Sequence, residues 1–437
     1  MSGSAASATP LSRVTLSLIG ALGIVAFGTY TNGADFMLLY CLPSTTLLAL
    51  TLLQVLVVLA LGIVLRMGDS LPIFPRLFGA TVAVSAAVVG TLALPAMNSD
   101  VAASALLCLC AAVMGFGNGV LQATTAGLAG ACGPALLTAH ATGVGLANLI
   151  MSILRIAFKL AIPGNIGLSY GFFVGAHCLF SLAILLVYLV AAKSDPLLSR
   201  VLKQRAEHGK TIELEMPASM TDGWCETQEQ PQQQSQSQSQ QPPQQPPQQP
   251  PQQPPQEEPQ EEPMWQTIRA TGHYGIGQIS SLGVALTVFP GFALQQPSSY
   301  GLTEGWLPVL AVAVYNLSDF AVRVANASIP CMAKPSALKH AALVVANLSA
   351  AAGVVISCVL EWSDGIVLLF HALLAATSSW QIAVCFLGAD GRAAARKAPR
   401  AVRERTGTVM QGLILVGITF GLGLSTAVAR AREGAAT

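Results

Sequence analysis

The chain has 437 residues, of which 53% are hydrophobic and only 10% are charged, whereas about 25% of the residues in a soluble domain are charged. Sixteen of the 43 Asp, Glu, Lys and Arg residues lie between Lys193 and Thr267, so the other 362 residues carry only 27 charges. This composition excludes an ordinary water-soluble enzyme. The net charge is +1 and no long basic run occurs, so the sequence does not predict a nucleic-acid-binding surface. Nine scattered cysteines without a CxxC or CxxH pair predict buried free thiols, and neither a metal nor a cofactor is expected.

Apolar runs define the membrane spans, because a helix needs about 20 apolar residues to cross a ~30 Å hydrocarbon core. Eleven runs qualify, approximately Leu11 to Tyr30, Leu42 to Leu65, Leu77 to Met97, Val101 to Gln122, Leu136 to Ile162, Ser169 to Ala192, Ile268 to Phe292, Trp306 to Ser328, Ala337 to Leu360, Ile366 to Leu387 and Thr406 to Ala429. The first is longer than the h-region of a signal peptide, about 7 to 15 residues, and no small-residue cleavage site closes it. The predicted fold class is all-α, a polytopic membrane protein with eleven transmembrane helices.

Lysine and arginine positions predict the orientation, since short loops rich in these residues stay in the cytoplasm. With a cytoplasmic N-terminus, 17 of the 22 basic residues lie in inside segments, and only Arg430 and Arg432 lie outside. An odd number of spans then places the C-terminus outside the cell. The plasma membrane is the expected location.

One long polar segment, residues 193–267, separates six spans from five. Its second half, Gln228 to Pro263, is almost entirely Gln and Pro with four glutamates at the end, a composition that cannot bury enough apolar surface to fold. We predict an N-terminal six-helix bundle over residues 1–192, a disordered cytoplasmic linker over 193–267 and a C-terminal five-helix bundle over 268–437. Two bundles around a midplane site are typical of secondary transporters.

Ionisable residues inside spans indicate function, because each costs at least about 2.5–3.5 kcal/mol at a helix centre unless it has a partner or a water-filled cavity. In the eighth span Asp319 and Arg323 are four residues apart on one helical face, where they can pair. Asn316 and Tyr315 lie on or beside this face. We predict that the pair lines a polar pathway, with a purely structural ion pair as the alternative.

The fifth span carries Arg155 and Lys159 without an acid in the same helix. Lys159 is close enough to the outer end to reach the interface, so we expect an anchor there. Arg155 lies deeper and is a candidate for the outer half of the pathway. Three histidines, which we expect to be neutral and hydrogen-bonded, lie in or near spans: His140, His177 and His371.

Small residues concentrate in residues 115–134 and 142–149, a pattern that favours close helix packing and kinked helices. Uncharged polar residues among them can hydrogen-bond a heterocycle or a ribose: Gln122, Thr124, Thr125 and Asn148. The predicted substrate-binding residues are Asp319, Arg323, Asn316, Gln122, Thr125, Asn148 and Arg155.

Three segments resemble the equilibrative nucleoside transporters. Residues 315–323, YNLSDFAVR, are similar to the family signature FNxxDxxGR, with Tyr replacing Phe and Val322 replacing Gly. Residues 121–134 are similar to the LQxxxxGLAG stretch and are followed by a Thr-Gly-x-Gly-Leu-Ala run, and residues 407–425 resemble the GTIM...G...S pattern. The resemblance covers most of the chain outside the linker. It implies a major-facilitator-like fold around a central cavity and alternating-access transport of purine or pyrimidine nucleosides or nucleobases.

Three positions depart from the family pattern. The PWN at the end of the first span is replaced within residues 27–32, FGTYTN; the Gln of GQG is Val144; and SNGYLAS has become residues 378–384, SSWQIAV. Members from unicellular parasites vary in this way, including ones that prefer free nucleobases. The resemblance therefore implies a nucleoside or a nucleobase substrate, with facilitative and proton-coupled transport both open.

Each alternative function predicts sequence features that differ from those of a nucleoside transporter. A different major-facilitator-type solute or drug carrier, the alternative within transport, would have a twelfth span and lack the YNLSDFAVR pattern. A membrane enzyme would need acidic or His-rich motifs at the cytoplasmic interface, and no HExxH or P-loop pattern occurs. A receptor or scaffold would leave Asp319 and Arg323 with a packing role only. The expected partners are the substrate, the lipid bilayer and, in a proton-coupled carrier, protons.

Cysteine labelling tests the predicted topology. On intact cells an impermeant maleimide is expected to leave Gln245→Cys unmodified and to label Ala435→Cys, because the first lies in the cytoplasmic linker and the second outside. The parent chain with its native cysteines gives the background. The reverse pattern would contradict the eleven-span orientation.

Overall fold

The computed structural model describes residues 9–67, 72–132, 134–208, 268–269, 271–289, 291, 298–301, 305–395 and 400–436. Within these ranges the secondary structure is helical and contains no strand. This confirms the all-α fold class. The Gln/Pro tract lies outside the described residues, so its predicted disorder stays a prediction.

The helices follow the predicted apolar runs closely. In chain order they are α1 (Pro10–Leu22), α2 (Val25–Asn32), α3 (Ala34–Met37), α4 (Pro43–Met67), α5 (Ile73–Gly90), α6 (Asp100–Ala131), α7 (Pro134–Ala161), α8 (Ile166–Ser194), α9 (Pro196–His208), α10 (His273–Val288), α11 (Trp306–Ser328), α12 (Pro330–Ala333), α13 (Ala337–Val359), α14 (Asp364–Ala395) and α15 (Arg400–Ala436). A 3-10 segment, Thr91–Ala96, continues α5 and contains Pro95.

Nine helices in the described part of the chain are long and apolar enough to cross a membrane. The first predicted span is a tenth if α1 and α2 count together, but they meet at a 48° bend. The seventh predicted span coincides with α10, which has 16 described residues and is too short to qualify alone. A multi-pass membrane protein is therefore established, and the number eleven remains a prediction.

The helices form two groups that follow the chain order. Helices α1 and α4 to α8 pack among themselves, as do α10, α11, α13, α14 and α15. The groups meet along α4 with α15 and along α7 with α11. At the first contact the Thr51 and Thr426 hydroxyls are 3.1 Å apart, and the Ser44 N–H donates to Glu433 at 2.9 Å.

Glycines allow the closest helix crossings. A Cβ at Gly115 of α6 would lie 2.2 Å from the Leu53 carbonyl oxygen of α4, and one at Gly143 of α7 would lie 1.8 Å from the Ser17 carbonyl oxygen of α1. Close backbone approach of this kind is how small residues drive association where no hydrophobic effect acts between helices. The small-residue stretches predicted from the sequence thus serve helix packing.

Helix α9 occupies residues assigned to the linker by the sequence pattern. Asp195 caps it, because its Oδ1 accepts the Leu198 N–H at 2.9 Å, and a proline follows at the first helical position. The other carboxylate oxygen accepts the hydroxyls of Thr9 at 2.7 Å and Ser12 at 2.8 Å. Leu198 and Val201 are buried. The first part of the predicted linker is therefore an ordered helix tied to α1.

A single methyl group tests the α4–α6 crossing. We expect Gly115→Ala to destabilise the protein by about 1–3 kcal/mol, because the new Cβ forces two helix backbones apart. Gly175→Ala is the matched control, since a Cβ there meets nothing within 4 Å. The control should be neutral or slightly stabilising through helix propensity. Thermal unfolding in detergent measures both, and equal melting temperatures would contradict the close crossing.

Candidate functional site

An ion pair lies where α11 faces α7 and α14. The Arg323 Nε–H donates to Oδ2 of Asp319 at 2.8 Å, and the Ser379 hydroxyl of α14 donates to Oδ1 of the same carboxylate. The side chains keep 27% and 10% of their surface exposed, respectively. The predicted pairing is confirmed, with Asp319 mostly buried and Arg323 partly exposed.

Helix α7 supplies the opposite wall. The Asn316 amide donates to the Ser152 hydroxyl at 2.9 Å and to the Asn148 carbonyl at 3.4 Å. Arg323 lies over Gly145, where a Cβ would be 2.8 Å from Cδ of the arginine. One face of α11 thus presents an amide, a carboxylate and a guanidinium to α7, across the contact between the two helix groups.

Two amide oxygens beside this wall are buried without a hydrogen-bond partner, Oδ1 of Asn148 and Oδ1 of Asn32. The first lies 2.7 Å from where a Cβ on Gly28 would be, so the bend between α1 and α2 brings α2 directly against α7. An unpaired buried acceptor costs about 1–3 kcal/mol. These oxygens therefore favour a ligand donor or a water in the same space.

Aromatic rings flank the carboxylate on its outer side. Tyr315 stacks on Phe289 with ring centroids 4.2 Å apart and planes 2° apart, and His371 meets Phe289 edge-on at 5.7 Å. All three side chains are buried. The stacked rings form a flat apolar surface at Tyr315, which precedes Asp319 by four residues on α11.

A second charge cluster lies farther along α7 and contains an acid that the sequence analysis missed. Asp35 of α3 binds Arg155 at 2.6 Å and Lys159 at 2.7 Å, and Arg155 also donates to the Ser169 hydroxyl at 2.7 Å. The Lys159 ammonium lies 5.1 Å from the centre of the Trp306 ring. This cluster joins α3, α7 and α8 to the start of α11.

The expectation for Lys159 is wrong, because its side chain is only 2% exposed and paired, so it does not extend to the interface as an anchor. All three nitrogens of Arg155 donate within the cluster to Asp35 or Ser169. Its guanidinium is completely buried, and its contact with substrate stays a prediction. Sequence spacing could not predict the pairing of Asp35 with Arg155, because the two residues are 120 positions apart.

The remaining predicted residues belong to a different contact. A Cβ on Gly23, at the α1–α2 bend, would lie 3.1 Å from Oγ1 of Thr125 and 3.5 Å from Cα of Gln122. Thr125 is 3.0 Å from Nε2 of His140. The bend thus rests on α6 there, while Asn316, Asp319, Arg323 and Asn148 come together at the α7–α11 contact.

The histidines are hydrogen-bonded, as predicted. Nδ1 of His177 lies 2.8 Å from the Thr29 hydroxyl and Nδ1 of His371 lies 2.8 Å from the Val367 carbonyl. Within the described ranges no group of three His, Cys, Asp or Glu side chains could hold a metal ion.

Two helix groups meet beside the carboxylate–guanidinium pair, an arrangement that corresponds to the two-bundle fold of the major facilitator type. The solved structure of the xylose transporter XylE from E. coli, inward open, superposes with a TM-score of 0.58 and 10% identity over 95% of this chain and 90% of that one. The nucleoside transporter NupG gives 0.53 and 11% over 98% and 92%. These likenesses show the fold.

The sequence comparison names the family. The nucleoside transporter family model matches residues 108–429. Equilibrative nucleotide transporter 7 from Arabidopsis thaliana is 25% identical over 223 residues, which cover 50% of this chain and 48% of that protein. This chain therefore spans about half the length of that curated relative. The chain belongs to the nucleoside transporter family, whose members are membrane transporters and not enzymes.

Neutralising Asp35 tests the cluster of Asp35, Arg155 and Lys159. Asp35→Asn should lower stability by about 3–5 kcal/mol, because two buried cations lose the carboxylate they share. Asp100→Asn, which removes an exposed carboxylate at the start of α6, is the matched control. Thermal unfolding monitored by size-exclusion chromatography in detergent compares the two, and similar melting temperatures would show that the cluster does not stabilise the fold.

Proposed function

We propose that the protein moves purine or pyrimidine nucleosides or nucleobases across the membrane by alternating access. In this proposal residues 1–192 and 268–437 act as two bundles that rock around the α7–α11 contact, with 193–267 as a cytoplasmic spacer. The observation that carries it is the partly exposed Asp319–Arg323 pair at the junction of the two helix groups. Membership of the nucleoside transporter family supports the substrate class.

The pair matches the chemistry of an uncharged nucleoside. The Asp319 carboxylate accepts hydrogen bonds from a ribose hydroxyl or a ring N–H, and Arg323 donates to ring nitrogens or a carbonyl. Asn316 and Asn148 add amide groups on the facing helices. A site with donors and acceptors on both walls discriminates against analogues that lack a partner group, because a buried polar atom is then left unpaired.

The outer charge cluster supports a second part of the proposal. Asp35 also lies against Gly305, because a Cβ added to Gly305 would be 3.0 Å from the Cβ of Asp35. Lys159 lies near the Trp306 ring. These contacts join the two helix groups at the start of α11. We assign Arg155 and Lys159 to this outer closure and keep substrate contact for the α7–α11 residues, with Gln122 and Thr125 supporting the α1–α2 bend.

The orientation and the coupling follow from the same scheme. The N-terminus is cytoplasmic, the C-terminus is extracellular and the plasma membrane is the location that we propose from the distribution of basic residues. Facilitative and proton-coupled transport both fit the proposal, in which Asp319 is the acidic side chain of the pair.

Two conservative variants test the proposed site. Asp319→Asn keeps the size and removes the charge, and Arg323→Lys keeps the charge and removes the planar fork. We expect each to reduce the transport of labelled adenosine, inosine, uridine, adenine and hypoxanthine by roughly 10- to 100-fold, since a hydrogen bond to a charged group contributes about 1.5–3 kcal/mol. In a proton-coupled carrier Asp319→Asn also flattens the pH dependence of uptake.

The controls separate folding from binding. Asp100→Asn and Arg430→Lys make the same chemical changes at exposed positions and should transport normally. Surface labelling measures the amount of each variant, because loss of one partner leaves a partly buried charge. A well-expressed Asp319→Asn or Arg323→Lys variant with unchanged rates and affinities for every substrate would make the pair structural and refute the site.

A further inference from the structure

A cavity of about 450 Å³ opens at one end of α10 and α14, away from the α7–α11 contact. Its lining comprises His273, Tyr274, Pro335, Gly388, Gly391, Arg392 and Ala395. Arg392 is 13 residues beyond Ser379 on α14, a separation of about 20 Å at the helical rise. The cavity is therefore a different place from the substrate site.

A guanidinium and an imidazole meet at the edge of this cavity. Nη1 of Arg392 lies 3.1 Å from Nδ1 of His273. A guanidinium can only donate, so Nδ1 is the acceptor and the neutral His273 ring carries its hydrogen on Nε2. The histidine is thus left with one further N–H donor, and the positive charge of Arg392 is not neutralised by this contact.

Arg392 has donor capacity left over. Its Nε is buried without a hydrogen-bond partner, and no carboxylate pairs with it among the described ion pairs. The guanidinium lies directly over Gly272, where a Cβ would be 2.5 Å from Cζ and where φ is +57°. The backbone of this glycine therefore holds the guanidinium in place against the first turn of α10.

The residues that line the cavity include one cation, Arg392, and no carboxylate. His340 packs behind this lining, 5.4 Å from His273 and 5.3 Å from Tyr274 between ring centroids. Its Nε2 lies 2.1 Å from where a Cβ on Gly277 would be, so it faces α10.

We propose that Arg392 and His273 at this cavity bind a phosphate group. A planar guanidinium with free N–H groups matches phosphate oxygens, and the imidazole N–H provides a further donor. The site lies beyond the last turns of the membrane span Asp364–Ala389, at the level where basic pockets between helices meet lipid headgroups. The phosphate comes from an anionic lipid or from a soluble phosphate, and the two sources are distinguishable.

Binding to the purified full-length chain tests the proposal. The probes are dioctanoyl phosphatidic acid, dioctanoylglycerol as the same lipid without phosphate, and inorganic phosphate. We expect phosphatidic acid, inorganic phosphate or both to raise the melting temperature measured by tryptophan fluorescence, because a ligand that binds only the folded state stabilises it. Arg392→Gln should weaken the affinity of the active probe at least tenfold. Lys203→Gln, which removes an exposed charge on α9, should leave it unchanged.

The outcomes separate the sources. A response to phosphatidic acid alone identifies a lipid headgroup, a response to inorganic phosphate alone identifies a soluble ligand, and a response to both shows that the phosphate group suffices. If Arg392→Gln is not monodisperse, His273→Gln replaces it and should also weaken binding. The proposal is overturned if neither phosphate probe acts, if dioctanoylglycerol acts as strongly as phosphatidic acid, or if the folded variants bind like the wild-type chain.

Discussion

A charge that lacks a partner costs about 2.5–3.5 kcal/mol at the centre of a membrane helix, and this constraint organises the interior of the protein. Two clusters satisfy it differently. Asp35, Arg155 and Lys159 are almost completely buried and hold four helices together, whereas Asp319 and Arg323 keep part of their surface open. Full burial suits a structural contact between helices, and partial exposure is the feature on which the proposed substrate contact of Asp319 and Arg323 rests.

Glycine packing complements the charge clusters. Where α6 crosses α4 and α7 crosses α1, the backbones touch because the residue between them has no side chain. The contacts between the groups, along α4–α15 and α7–α11, include hydrogen bonds between hydroxyl and amide side chains. Polar side chains thus bridge the two groups, in addition to the glycine contacts.

The three departures from the family pattern converge on one place. Gly28, within residues 27–32, packs against Asn148; Val144 is next to Gly145, which supports Arg323; and Ser379, within residues 378–384, donates to Asp319. The altered segments come from α2, α7 and α14 and surround the retained ion pair. The three departures therefore lie beside the ion pair that we propose as the substrate site.

The sequence by itself determined the features that depend on local spacing. Apolar runs of about 20 residues marked the membrane helices, and Asp319 and Arg323 were recognisable as a pair because four residues make one helical turn. What the sequence failed to predict also has a physical reason. A capped helix, α9, begins inside a segment whose overall composition indicated disorder.

Only the tertiary structure decided which distant residues meet. Asp35 pairs with a cation 120 positions away, and the Arg392 guanidinium is brought over Gly272 from another helix. Lys159 was wrongly expected at the interface for the same reason, because its partner lies on α3. Spacing along one chain carries information about neighbours within a helix, whereas contacts between helices depend on how the whole bundle packs, and no periodicity records them.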